Sequence, residues 1–290
     1  SVTYKDVLGK TVGKARRGSA TGLASSIAAT TTIIFAVLLF SEVGERRTLV
    51  IGALFVAAAA WVAAALLFST LREEAGATEG GANGIDQLRE NLALLSQDPQ
   101  LRRFILTRGL LTATALAPPF MVAAASAGSR DYGGLGLLIL ASAGASLVSG
   151  LVWGRLSDNS SKKVLVLSAM AAALILTASA AAGFAGWLQT WFVLPGLLFV
   201  LMIAYEGVRV GRSTHLVDMA SEETRAAYTA LSNTIIGLIL IAGGGFGVVA
   251  DLASPEWCLA LMAAMCAAAV PAALALDDVQ QRKGEGNGDG

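Results

Sequence analysis

Charge is what this chain has least of. Only 14% of its 290 residues are Asp, Glu, Lys or Arg, against about 25% in soluble globular domains. That is too little polar surface for a water-soluble fold. Histidine is nearly absent, His215 being the single one. There is accordingly no HExxH pattern, no set of imidazoles for a metal site, and no convincing Ser/His/Asp arrangement for an intramembrane hydrolase. No metal, no cofactor and no enzymatic activity are expected. Cysteine is scarce as well. Cys258 and Cys266 lie eight apart in one apolar run, too far along a helix axis to bridge each other, and read as small buried residues. No P-loop pattern is present, so ATP drive would need another chain. The chain opens on Ser1 and a basic segment rather than a signal peptide, and no nucleic-acid partner is expected.

What is abundant is apolar sequence, 55% of the chain. Runs of about 18 or more nearly uncharged residues recur, each long enough to cross a hydrocarbon core about 30 Å thick. Ala, Leu and Gly dominate them without period-two alternation, which favours helices over a β-barrel. The pattern predicts an all-α polytopic membrane protein with eight transmembrane helices, near 21–40, 49–68, 104–127, 132–153, 164–185, 192–212, 227–250 and 256–276. The connections alternate between short, charge-poor loops and longer basic ones. All but three of the 21 basic residues (Arg46, Arg47 and Arg130) fall in or beside the basic set. Basic loops stay cytoplasmic, so both termini are expected there, in an integral protein of the plasma (bacterial inner) membrane, with membrane lipids as partners.

Residues 69–103 read as a cytoplasmic linker. Ile85, Leu88, Leu92 and Leu95 recur at helix spacing among charged neighbours, predicting a short amphipathic helix after a Gly-rich tether. Asp98-Pro99 then signals a helix start, with Asp98 as N-cap and Pro99 at the first helical position. Residues 1–68, 69–103, 104–276 and 277–290 are thus expected to be, in turn, the end of one helix group, a linker, a six-helix group and a disordered tail.

Residues 154–163, GRLSDNSSKK, form a polar connection between two apolar runs. Gly154 suits a helix end and Asp158 a following helix start, where a carboxylate meets free N–H groups. Lys162 and Lys163 suit anionic headgroups. Gly154, Leu156, Ser157, Asp158, Lys162 and Lys163 resemble the cytoplasmic loop signature of the major facilitator superfamily, with Asn159, Ser160 and Ser161 replacing its Arg-x-Gly centre. The resemblance implies a major-facilitator-like bundle of two six-helix halves. It places this loop between helices eight and nine, so that the eight helices present correspond to helices five to twelve. The first four helices would then lie upstream in the full-length chain. A faint repeat, YKDVLGK at Tyr4–Lys10 and YEGVRVGR at Tyr205–Arg212, fits the parallel repeats of such carriers.

Charges inside apolar spans are costly and face a partner, a cavity or an ion path. Glu206 and Arg209, three apart on one helix face, either pair with each other or serve gating and ion coupling. Arg108 is expected to reach the headgroups or to pair with Glu206 or Asp158. Ser142, Ser146 and Ser149 share one face, readable as close packing or as a solute-contacting stripe together with Tyr205 and Asn233. Pro118 and Pro119 must disrupt their helix and are a candidate hinge or static kink. His215 is read as solvated loop surface.

The resemblance implies secondary active transport of a small solute by alternating access, with protons as a candidate coupling ion. The competing reading is a non-transporting membrane scaffold or receptor, or an inactive truncated carrier. Nothing in the sequence names the solute, the direction of coupling or the oligomeric state.

Overall fold

A computed structural model describes residues 30–35, 37–38, 45–70, 93–126, 135–221 and 224–279. The chain divides into two units, Ser1–Asn83 with Asp131–Ala143, and Gly84–Arg130 with Gly144–Gly290.

In the first unit the principal described element is α1 (Arg46–Ser69). It is apolar on every side, and its large side chains are exposed, Trp61 at 80% and Phe55 at 72%. A helix hydrophobic all round, with such a surface uncovered, suits hydrocarbon and not water.

The second unit contains the packed bundle. Its helices are α2 (Pro99–Leu110), α3 (Ala113–Ala125), the end of α4 (Leu135–Asn159), α5 (Ser161–Phe184), α6 (Val193–Met219), α7 (Arg225–Gly243), α8 (Gly245–Leu252) and α9 (Pro255–Leu274). The centre is α5, packed most extensively on α9 and then on α6. From α9, Cys258, Met262, Cys266, Ala269 and Ala273 turn inward at three- and four-residue spacing; from α5, Leu165, Ala169, Ala172, Leu176 and Ala180 do the same. Small residues let backbones approach without lipid between them, and dispersion contacts hold the pair where no hydrophobic drive separates helix from lipid. Both cysteines are free and buried, as the sequence suggested, and the Cys258 thiol donates to the Phe246 carbonyl at 3.2 Å.

Helix starts follow local chemistry. The Asp98 carboxylate accepts from the Gln100 and Leu101 N–H groups, with Pro99 opening α2. Ser160 Oγ accepts from the Lys163 N–H to open α5. Here the expectation is corrected. The polar stretch 154–163 is not a loop: α4 continues through Asp158 to Asn159, and Ser160 alone separates it from α5. Asn-Ser-Ser supplies a hydroxyl cap at the position where the helix must restart, and Ser160 caps α5. Likewise α6 runs seven residues past its expected end, to Met219.

The count of eight spans is also corrected. Among the described residues six helices are long and apolar enough to cross a membrane: Arg47–Ser69, Pro99–Ala125, Ser161–Phe184, Val193–Met219, Ala227–Leu252 and Pro255–Leu274. The expected span at 132–153 yields a described apolar stretch of Leu137–Ser149, about 20 Å of helix at 1.5 Å per residue. The expected span at 21–40 falls largely outside the described residues. With the count goes the assignment to helices five to twelve. Residues 1–20, the linker positions Ile85, Leu88 and Leu92, and the tail beyond 279 also lie outside the described residues.

Two of the six spans are interrupted. Pro99–Ala125 breaks at Leu111–Thr112, where Thr112, Thr114 and Ala115 bond three residues back instead of four. Pro118 and Pro119 sit inside α3, which stays helical through them; lacking N–H groups, they leave the Thr114 and Ala115 carbonyls without their usual partners. Ala227–Leu252 breaks at Gly244. The two spans pack with reciprocal notches: a Cβ on Gly109 would meet Ile239, and one on Gly243 would meet Leu116.

Candidate functional site

On α6, Glu206 and Arg209 lie one turn apart, and the sequence spacing brings them together as an ion pair. Arg209 Nε donates to Glu206 Oε2 at 2.8 Å, and a second guanidinium nitrogen lies 2.6 Å from the same oxygen. The other carboxylate oxygen accepts from Ser146 Oγ of α4 at 3.3 Å. The Glu206 side chain is 12% exposed and that of Arg209 58%, so the carboxylate is inside and its cation reaches outward. The next residue, Gly207, makes this possible. A side chain there would strike Ser168 of α5 and the Trp153 ring of α4, and Trp153 Nε1 donates to the Ile203 carbonyl at 2.8 Å. Absence of a side chain at Gly207 therefore sets the closeness of α4, α5 and α6 beside the charged pair.

The serine stripe divides. Ser146 reaches Glu206, whereas Ser142 donates back to the Leu138 carbonyl of its own helix at 3.0 Å. Tyr205 is half-buried with no described hydrogen bond.

Arg108 pairs with residues of α7 and not with Glu206, whose carboxylate is engaged by Arg209. From α2 it donates to Ser232 Oγ at 2.6 Å and to Asn233 Oδ1 at 2.8 Å, both on α7. Its Nε is buried without a partner. Asn233, singled out in the sequence as needing a partner, finds it here; Ser232, wholly buried, was not anticipated, although its place beside Asn233 was a signal.

Of the signature residues, Ser157 is buried, Leu156 and Lys162 are half-buried and Lys163 is exposed; the surroundings of Gly154 and the side chain of Asp158 lie outside what the structure describes. The two serines that depart from the signature do more. Ser160 Oγ donates to Asp278 Oδ2 at 2.9 Å, and Ser161 Oγ lies 3.0 Å from His215 Nδ1. His215 is not solvated surface: it is 0% exposed and stacked on Phe104 at 5.5 Å. The extension of α6 to Met219 turns this residue inward. Residues after α9 are tied to α2 as well, the Asp277 N–H donating to Gln100 Oε1 and Arg103 to the Ala275 carbonyl. Tyr228 of α7 donates to Asp98 Oδ2 at 2.7 Å. The start of α2 is thereby joined to the start of α7 and to the segment after α9. Among the described residues no cluster of three or more His, Cys, Asp or Glu stands ready to hold a metal.

Stacked apolar helices carrying charge and hydroxyl groups within their spans define a polytopic membrane protein. The model of one family, the Major Facilitator Superfamily, matches residues 110–290, and the chain belongs to that family. No curated protein and no solved structure matches it. Family membership assigns an integral membrane protein with a transport rather than catalytic role.

Proposed function

We propose that the protein is a secondary active transporter that moves a small solute by alternating access and couples the movement to protons through Glu206. The observation carrying this reading is the placement of Glu206, a carboxylate inside an apolar span, held between Arg209 and Ser146. A charge at such a depth faces a partner, a cavity or an ion path, and Arg209 is a partner that Glu206 can exchange for a proton. Glu206 alternates between pairing with Arg209 and carrying a proton, and the exchange changes how closely α4 and α6 are held at Ser146. The interruptions at Leu111–Thr112, followed by Pro118 and Pro119, and at Gly244 are the bending points. Asp158 and Arg108 belong to the gating side, and Ser146, Tyr205 and Asn233 to the cavity. Both termini face the cytoplasm of a plasma (bacterial inner) membrane, a reading supported by the concentration of Lys and Arg in alternate connections.

The test is uptake by the full-length protein in proteoliposomes across a solute panel, with and without an imposed pH gradient. The gradient accelerates uptake by the natural protein, whereas Glu206→Gln takes up solute at a rate indifferent to it. Equal gradient dependence in the two proteins refutes the coupling role; absence of uptake by the natural protein refutes transport.

A further inference from the structure

Among the described residues, Arg108 and Arg212 are two cations without counter-charge. Arg108 lies one turn beyond Phe104 on α2 and Arg212 one turn before His215 on α6, so the Phe104–His215 stack at 5.5 Å brings the two arginines to adjoining positions, where they act on each other as like charges. Neither has a carboxylate partner among the described residues. Glu206 does not balance them, being engaged by Arg209. Arg108 is nine residues beyond Pro99, Arg212 seven before Met219, and Ser232 seven beyond Arg225. These three helix ends lie on the same side, since Tyr228 meets Asp98 and α6 leads into α7. At 1.5 Å per residue, all three side chains therefore start roughly 10–14 Å in from that side.

Two like charges held together at this depth repel each other and have lost much of their hydration, a cost that hydrogen bonds to neutral partners only partly offset. An oxyanion between them removes the repulsion and accepts from guanidinium groups with forked, charge-assisted geometry. The neutral partners already orient Arg108: Ser232 Oγ and Asn233 Oδ1 each hold one terminal nitrogen, which fixes the guanidinium plane. Asn233 is exposed, so the second of these nitrogens lies toward the accessible side.

We propose that Arg108 and Arg212, oriented by Ser232 and Asn233, bind an oxyanion, the carboxylate or phosphate of an anionic solute or the phosphate of a lipid headgroup. The solute source rests on the transport reading given above; the binding site itself does not.

The test uses the full-length protein. Inorganic phosphate is titrated against it in neutral-detergent micelles at matched ionic strength, with thermal unfolding as the readout. In parallel, phosphatidylglycerol is added to phosphatidylcholine nanodiscs. Phosphate is expected to stabilise the protein saturably. Arg108→Gln and Arg212→Gln each weaken the apparent affinity about tenfold or more, as loss of a charge-assisted bond requires, while Arg103→Gln, outside the cluster, leaves it unchanged. Arg108→Lys, which keeps the charge, retains part of the response and serves if Arg108→Gln does not fold. A phosphate response assigns the solute source; a response to phosphatidylglycerol alone, lost in the same variants, assigns the lipid. Indifference to both anions, or a response undiminished in Arg108→Gln and Arg212→Gln, overturns the site. Uptake measured separately distinguishes the two claims: solute uptake without an anion response removes the site and leaves transport standing.

Discussion

Gly207→Ala tests whether the close approach beside Glu206 is as tight as it is drawn. The added Cβ meets Ser168 Oγ and lies 2.7 Å and 3.0 Å from two carbons of the Trp153 ring. The serine hydroxyl can rotate, but the indole cannot yield without moving as a plate. Overpacking of this kind costs about 1–3 kcal/mol. Displacing the ring also strains the bond from Trp153 Nε1 to the Ile203 carbonyl, worth about 0.5–1.5 kcal/mol. Against these stands the lower conformational entropy lost by Ala in a helix, a gain of about 0.5–1 kcal/mol. The net expectation is a loss of about 1–3 kcal/mol. The same change at Gly237 of α7, where nothing lies within 4 Å, keeps the gain and meets no clash. In thermal unfolding of the detergent-solubilised protein, followed by size-exclusion chromatography, Gly207→Ala lowers Tm and Gly237→Ala does not. If Gly207→Ala matches or exceeds the natural protein, the packing of α4, α5 and α6 described here is wrong.

Other outcomes follow from the same geometry. Asp98→Ala removes the α2 cap and the acceptor for Tyr228 together, so it is expected to cost about 1–2 kcal/mol. Tyr228→Phe costs about 0.5–1.5 kcal/mol, and the double variant falls short of the sum, because both single changes remove one shared bond; strict additivity in Tm-derived stabilities would contradict that bond. Cys258 and Cys266, both buried, resist maleimide in the folded protein and label fully after denaturation. They form no disulfide with each other under oxidant, being about 12 Å apart along one helix axis; rapid labelling of the native protein would refute the α5–α9 core. His215→Ala, which empties a buried site between Phe104 and Ser161, lowers Tm by more than His215→Gln, and equal effects would argue against the ring stacking.

The legible parts were those with local causes. Asp98-Pro99 announces a helix start because capping involves only the next three residues, and α2 begins there. Glu206 and Arg209 meet because three residues make almost one helical turn. The cysteines are buried because an apolar run has no other use for them. Where the reading went astray, the deciding partner came from elsewhere in the chain. His215 looked like loop surface, yet α6 continues to Met219 and the ring inserts between α2 and α5. The Asn-Ser-Ser centre looked like a degraded signature, yet Ser160 caps α5 and holds Asp278, 118 residues away. The end expected at residue 153 was missed for a similar reason: α4 continues into polar sequence that composition had given to a loop.

By itself, then, the sequence determined the solvent and the periodicity. A chain with so few charges must place its surface in hydrocarbon, where every backbone N–H must find a partner, and without the period-two alternation of a barrel that partner is found along a helix. The signature residues led as far as the family. Only the tertiary structure decided which polar groups meet: Arg108 with Ser232 and Asn233, Glu206 with Ser146, His215 with Ser161. The physical reason is that lipid is indifferent to how apolar helices turn about their axes. Rotation and depth are set by glycine notches and polar contacts between segments distant in sequence, and these become visible only when the helices stand side by side.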